Sequence, residues 1–172
     1  MRAAFLMCSC VQTQAADVNM ADVRQLAREP VETIFEGAPI KRIRTADYWK
    51  TVRGSRKPVV VVFYANQDPR SRNLATLARY LALEFGKDVM FYGYPVTEGA
   101  TVERSELTRV QQRYGVKQIP ATLFYDNDRG KMELEKTEYS VPLLTEYRTP
   151  SMLLWNTYLR TTRDYIQKNI LD

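Results

Sequence analysis

The residues best placed to do chemistry are Asp68 and Ser71, within the run Val59-Val-Val-Val-Phe-Tyr-Ala-Asn-Gln-Asp-Pro-Arg-Ser-Arg72. An apolar run ends at Ala65, and Asp68-Pro69 then opens a helix, with Asp as N-cap and Pro at the first helical position. A carboxylate there can accept the first backbone amides, a gain of about 0.5–2 kcal/mol. It can also act as an acid or base, provided a second carboxylate stands near and raises its pKa. Ser71 offers a hydroxyl nucleophile, but a serine needs a base, and the chain contains no His. The expectation is therefore a structural cap and no catalytic residue, with carboxylate chemistry as an alternative.

The remaining reactive side chains are few. The only cysteines are Cys8 and Cys10, so thiolate or imidazole metal sites and Cys-His or Ser-His-Asp arrangements are not expected beyond the first dozen residues. No metal and no cofactor is expected. Residues 1–16 read as a secretory signal or a disordered tail, because Arg2 precedes the apolar stretch Ala3–Val11 and small residues at Ala15 and Ala16. Export to the periplasm or the extracellular space is the expectation, with the cytoplasm as the alternative.

At 172 residues, 45% hydrophobic and 26% charged, the chain has the composition of one soluble domain able to bury a real core. Its formal charge of +5 is spread among interleaved acids, so a protein or peptide partner is expected and a nucleic acid is not. Lys41-Arg-Ile-Arg44 and Arg53–Lys57 read as solvated strand ends and loops, the alternative being a basic contact patch. No apolar run approaches the ~20 residues of a transmembrane helix. The oligomeric state is left open.

The elements that must position Asp68 and Ser71 follow from periodicity. Four valines before Phe63 do not alternate with polar residues, so Val59–Ala65 should be a central strand covered on both faces. Leu74, Leu77, Ala78, Leu81 and Phe85 lie at i, i+3, i+4, i+7 and i+11, one face of a helix that Gly86 should end in the left-handed conformation. A short helix is expected at Asn19–Glu29, ended by Pro30, followed by an irregular link through Gly37 and Pro39. Ile40–Arg44 should be a strand, Ala46–Val52 a helix, Val89–Val96 a strand, Thr97–Arg104 a polar loop and Ser105–Tyr114 a helix stopped by Gly115. Ile119–Tyr125 and Lys131–Val141 should form a hairpin around Asn127–Gly130, with a bulge near Glu135–Lys136. Thr149-Pro150 should cap a final helix reaching Leu171, with one stripe at Met152, Trp155, Leu159, Thr162 and Ile166 and a second at Leu154, Tyr158 and Tyr165.

Lys57-Pro58 with Val59–Ala65, followed in order by Tyr114-Gly-Val-Lys-Gln-Ile-Pro-Ala-Thr-Leu-Phe-Tyr125, resembles the thioredoxin family. The resemblance implies an α/β fold: a mixed central β-sheet flanked by helices on both faces, here with an N-terminal helical extension. It implies three segments: the tail 1–16, a helix and linker at 17–39, and a thioredoxin-like domain at 40–172. The family's Cys-x-x-Cys turn falls on Asp68-Pro-Arg-Ser71, its buried acid on Val62, and its cis-proline on Pro120. Both thiols and the acid are missing together, so the resemblance implies a redox-inactive domain, because disulfide exchange needs a thiolate.

The groove in which the family pairs with extended substrate would here be formed by Tyr64, Gln67, Asp68, Ser71, Ile119, Pro120 and Ala121. The expected function is a binding, chaperone or assembly module. One alternative is a structural subunit whose extra N-terminal helix and second terminal stripe are buried only against another chain. The other is an enzyme using carboxylates at the former redox turn.

Overall fold

The stretch Val59–Ala65 is β2, and all seven of its residues are buried. The computed structural model describes residues 18–126, 135–138 and 152–171. Around β2 the chain order is α1 (Met20–Leu26), α2 (Val31–Phe35), β1 (Ile40–Arg42), α3 (Tyr48–Gly54), β2, α4 (Pro69–Phe85) and β3 (Met90–Thr97). Then come α5 (Arg104–Tyr114), β4 (Ala121–Asp126), β5 (Glu135–Glu138) and α6 (Met152–Ile166), which continues into a π-helical segment, Gln167–Leu171.

The sheet has the order β1-β3-β2-β4-β5. Strands β1, β3 and β2 run parallel, joined by helical crossovers, while β4 pairs antiparallel with β2 and β5 antiparallel with β4. In register, Val59 lies between Met90 and Tyr125, and Phe63 between Tyr94 and Ala121.

Alternation along β2 divides the core. Val60, Val62 and Tyr64 face one side with α1, α2, α4 and α6, where Ile34, Phe35, Leu77, Leu81, Trp155 and Ile166 pack. Val59, Val61, Phe63 and Ala65 face the other side with α3 and α5, where the large side chains are aromatic: Tyr48, Tyr94, Tyr114 and Tyr125. The ring centroids of Tyr48 and Tyr114 are 4.2 Å apart and those of Phe63 and Tyr94 4.9 Å. Three of these four hydroxyls pair internally, Tyr48 with Tyr125 at 2.7 Å and Tyr94 with Thr45 at 2.6 Å, as buried polar groups ordinarily do, while that of Tyr114 is buried without a hydrogen-bond partner among the described residues. Burial above all raises the Tyr48 and Tyr125 pKa values, the latter to about 12.

The local elements differ from the sequence expectations at three places. Pro30 does not only stop α1, which ends at Leu26. It is itself the N-cap of a second helix, α2, within what reads as an irregular link. Gly86 ends α4 with φ −62, not left-handed; glycine is needed there because a Cβ would meet the Ala82 carbonyl at 2.5 Å and Pro39 at 2.6 Å. Among the described residues the positive-φ glycines are Gly37, at φ 72, before β1, and Gly115, at φ 69, after α5. Glu135 and Lys136 pair regularly with Asp126 and Tyr125, so the hairpin carries no bulge at that position. The Asn127–Gly130 turn and the Thr149-Pro150 cap lie outside the described residues.

The extension expected at 17–39 is packed into the domain's own core. Val23, Val31 and Ile34 are completely buried within this chain, as Tyr158 of the second α6 stripe very nearly is. For the N-terminal helix, the burial that the subunit alternative assigns to another chain is met internally; in the second stripe Tyr158 is buried and Tyr165 half-buried, and the Leu154 side chain lies outside the described residues.

Candidate functional site

The turn between β2 and α4 is held together by its own side chains. Asp68, at φ −76 and ψ 127, is the N-cap of α4, with Pro69 in the first turn. Its Oδ2 accepts from the Ser71 amide and from the Ser71 hydroxyl, each at 2.9 Å. The same hydroxyl accepts from the Ala65 amide at 3.1 Å, so it ties the last residue of β2 to the cap. Arg70 Nε donates to Asp68 Oδ1 at 3.2 Å. Asp68 is 2% exposed and Ser71 is fully buried. The serine proton is committed to the carboxylate and the serine oxygen to a backbone amide. This is a helix cap extended by one hydroxyl, with neither group aimed at solvent.

One flank of the turn is closed by the N-terminal extension. The Asn66 carbonyl accepts from the Val31 amide, and Asn66 Oδ1 from the Glu32 amide, both at 3.1 Å. Asn66 thereby satisfies two of the amides that α2 leaves open at its N-terminus. Arg79 of α4 donates to the carbonyls of Ile34 (2.7 Å) and Glu36 at the other end of α2. Arg72 donates to the Arg28 carbonyl at 3.1 Å and to Gln67 Oε1 at 2.9 Å.

Phe35 meets Tyr64 edge-on with centroids 5.5 Å apart, above Gly93. A Cβ on Gly93 would come within 2.7 Å of the Phe35 ring. The Tyr64 hydroxyl donates to Glu32 at 3.2 Å, and Glu32 and Glu98 each pair with Arg42 at 2.6 Å. Burial first, and then the Glu32 charge, hold the Tyr64 phenol above its ordinary pKa.

The opposite flank is open. A depression of about 370 Å³ is lined by Asp68, Pro69, Arg70, Ala100, Thr101, Val102, Leu107, Gln118 and Ile119. The Ile119–Pro120 peptide bond is cis, and Ile119 forms the wall facing Asp68. The loop after β3 is fastened to the turn by two backbone bonds, Asn66 amide to Thr97 carbonyl (3.0 Å) and Gln67 amide to Gly99 carbonyl (3.1 Å). A capping box between Glu103 and Glu106 starts α5, which sets Leu107 beside Val102 in the wall. The lining is thus mixed, with Pro69, Val102, Leu107 and Ile119 beside the polar side chains of Asp68, Arg70, Thr101 and Gln118.

The structure brings some of the seven sequence-predicted site residues together and separates others. Asp68 and Ile119 face each other across the depression. Pro120 and Ala121 are buried behind Ile119, and Ser71 behind Asp68. Gln67 is exposed at the turn but bonds Arg72. Tyr64 lies on the closed flank, because alternation turns it away from Phe63 and Ala65. Val102 and Leu107 went unrecognised within a stretch of polar composition. The visible signal was the helical spacing of Leu107 and Val110, which puts both on the inner side of α5. Among the described residues no second Asp or Glu lines the depression, and no three His, Cys, Asp or Glu side chains cluster as a metal ion requires.

Three parallel strands, an antiparallel hairpin at one edge, helices on both faces and a cis-proline opposite a capped helix start define the architecture. It is similar to a crystal structure of ERdj5 (form II), with a TM-score of 0.51 and 16% identity, over 74% of this chain and 14% of that one. The fold is thioredoxin-like. Other similar solved structures are Trichomonas vaginalis thioredoxin (TM-score 0.46, 22% identity, 60% of this chain and 86% of that one) and the short form of thioredoxin f from spinach chloroplast (0.41, 17%, 51% and 72%). The chain therefore spans about one seventh of the ERdj5 structure and most of the two thioredoxins. No family model and no curated protein matches the sequence. Cys8 and Cys10 lie outside the described residues, and the turn carries no sulfur.

Proposed function

We propose that this chain is a redox-inactive thioredoxin-like module that binds an extended peptide segment of a protein partner in the depression between Asp68–Arg70 and Ile119. The observation that carries this reading is the contrast within the turn. Asp68 and Ser71 are engaged by each other, by Arg70 and by Ala65, while the depression beside them, with Val102, Leu107 and Ile119 in its lining, stays open among the described residues. Side chains bonded to one another in a helix cap are accounted for by structure alone, whereas a depression with both apolar and polar groups in its lining suits binding.

Two measurements on the full chain test this. Reduction of a small disulfide or of insulin should stay at background; turnover would sink the inert reading. Titration with extended, unfolded polypeptides should saturate, and Leu107→Asn should weaken it. Equal binding by that variant would remove the groove from the function. The carboxylate alternative gains no support, since no second acid lines the depression among the described residues, and the subunit alternative loses the N-terminal helix as a motive because its apolar side is covered internally.

A further inference from the structure

At the other end of the sheet lies a second surface with a different chemistry. Residues 41–57 contain seven Lys and Arg and one Asp, a net +6, against +5 for the whole chain, so the remainder is slightly negative. The excess positive charge is therefore confined to β1, α3 and the turn that follows, not spread over the molecule.

One of these cations, Arg42, is neutralised by Glu32 and Glu98. The others, Lys41, Arg44, Lys50, Arg53, Arg56 and Lys57, are all exposed. Lys41 pairs in register with Tyr92 and shares the α3 side of the sheet with Ile43. Lys50, Arg56 and Lys57 rim a shallow depression of about 680 Å³ whose floor includes Met90 and Tyr92. Gly54 at its edge has nothing within 4 Å of where a Cβ would stand. Met90 pairs with Val59, the first residue of β2, and the peptide groove lies beyond Ala65, the last. The two sites are about 20 Å apart at the rise of a strand.

We propose that this basic face docks an acidic segment of a partner polypeptide, independently of the groove at the turn. A diffuse set of flexible cations on one short helix and its flanking turn suits a chain of carboxylates more than one compact anion. Arg53, Arg56 and Lys57, at and just after the C-terminal end of α3, also offset its dipole, so an anion there gains from the side chains and not from the backbone. Single-stranded nucleic acid uses stacked aromatic rings. Here Tyr92 is 9% exposed, and the Arg53 guanidinium sits 5.0 Å over the Trp49 ring. Membrane docking of a basic face is completed by apolar anchors. The one exposed large hydrophobic side chain among the described residues, Leu83, is on α4 across the sheet.

The test uses the full chain and a fluorescent peptide alternating Glu and Ser, about 16 residues long, enough to cross the face at about 3.3 Å per residue. Saturable binding at low salt is expected. It should weaken about tenfold in Lys50→Gln/Arg53→Gln/Arg56→Gln and by a similar factor when about 0.25 M salt is added. A control with the same charge loss elsewhere, Arg24→Gln/Arg160→Gln/Lys168→Gln, should stay within about twofold. Should the triple variant melt early, the three single variants should each weaken binding about twofold. Absence of saturable binding overturns the proposal, as does equal weakening by the control. So does tighter binding of an oligothymidylate or of phosphatidylglycerol vesicles than of the peptide. Leu107→Asn should leave this affinity unchanged, which separates the face from the groove.

Discussion

The two flanks of the β2–α4 turn start from the same residues and end differently. Toward α2, Asn66, Arg72 and Tyr64 are drawn into bonds and packing with the N-terminal extension. Toward Ile119, Asp68 and Arg70 border an unfilled hollow. This chain covers one flank of the turn with its own N-terminal segment and leaves the other open among the described residues. Hydrogen bonds and packing are thus concentrated where α2 sits, and the proposed binding is assigned to the flank it leaves open.

Four measurements would break or sharpen that contrast, beginning with the largest effect. Phe35→Ala should cost about 3–5 kcal/mol in urea unfolding, since it empties a packed site against Tyr64 and Gly93. A loss below about 1 kcal/mol would mean that α2 is a loose cover.

Next is alkaline unfolding, which reports the aromatic core behind the open flank. Burial lifts Tyr125 from 10.0 to about 12. Below pH 10 the phenol is protonated in both states, and its contribution is complete. Between pH 10 and about 12 only the unfolded chain releases the proton, so stability should fall, by about 2 kcal/mol from this group. Tyr48 adds to the fall with the same sign. Tyr125→Phe should flatten that slope; an unchanged slope would place the titration elsewhere.

Asp68→Ala sits on the boundary between the flanks and should cost about 1–2 kcal/mol, through loss of the cap and of the Ser71 hydroxyl's acceptor. Asp68→Asn, which keeps an acceptor, should recover part of it; an equal loss would show that the charge, not the hydrogen bond, matters. Smallest in stability is Leu107→Asn, within about 0.5 kcal/mol because the side chain is half-buried, yet peptide affinity should drop about fivefold. Equal affinity would show that the hollow is not the contact surface.

Much of the scaffold was legible because its signals are local. Four valines before Phe63 require cover on both faces, and Asp68-Pro69 is a cap on composition alone. The closed flank was not legible for the opposite reason. Helix α2 has five residues, too few for a periodic pattern, and its ends are satisfied by Asn66 and Arg79, which are 34 and 45 positions away from their partners. Tyr64 was assigned to the groove because it neighbours the turn in sequence, although strict alternation from Phe63 and Ala65 sends it to the other face. Val102 was hidden within polar neighbours. Only the fold carries the loop after β3 over to Ile119.

Gly93 has a practical implication for anyone cutting this polypeptide into parts. Its missing side chain is a notch in β3 that Phe35 fills, so the strand is shaped to receive a segment that precedes the first strand. A fragment beginning at Ile40 would carry that notch unfilled, with the ring of Tyr64 and the carbonyl of Asn66 laid bare beside it. The extension and the sheet should therefore be expressed, exchanged and inherited as one piece.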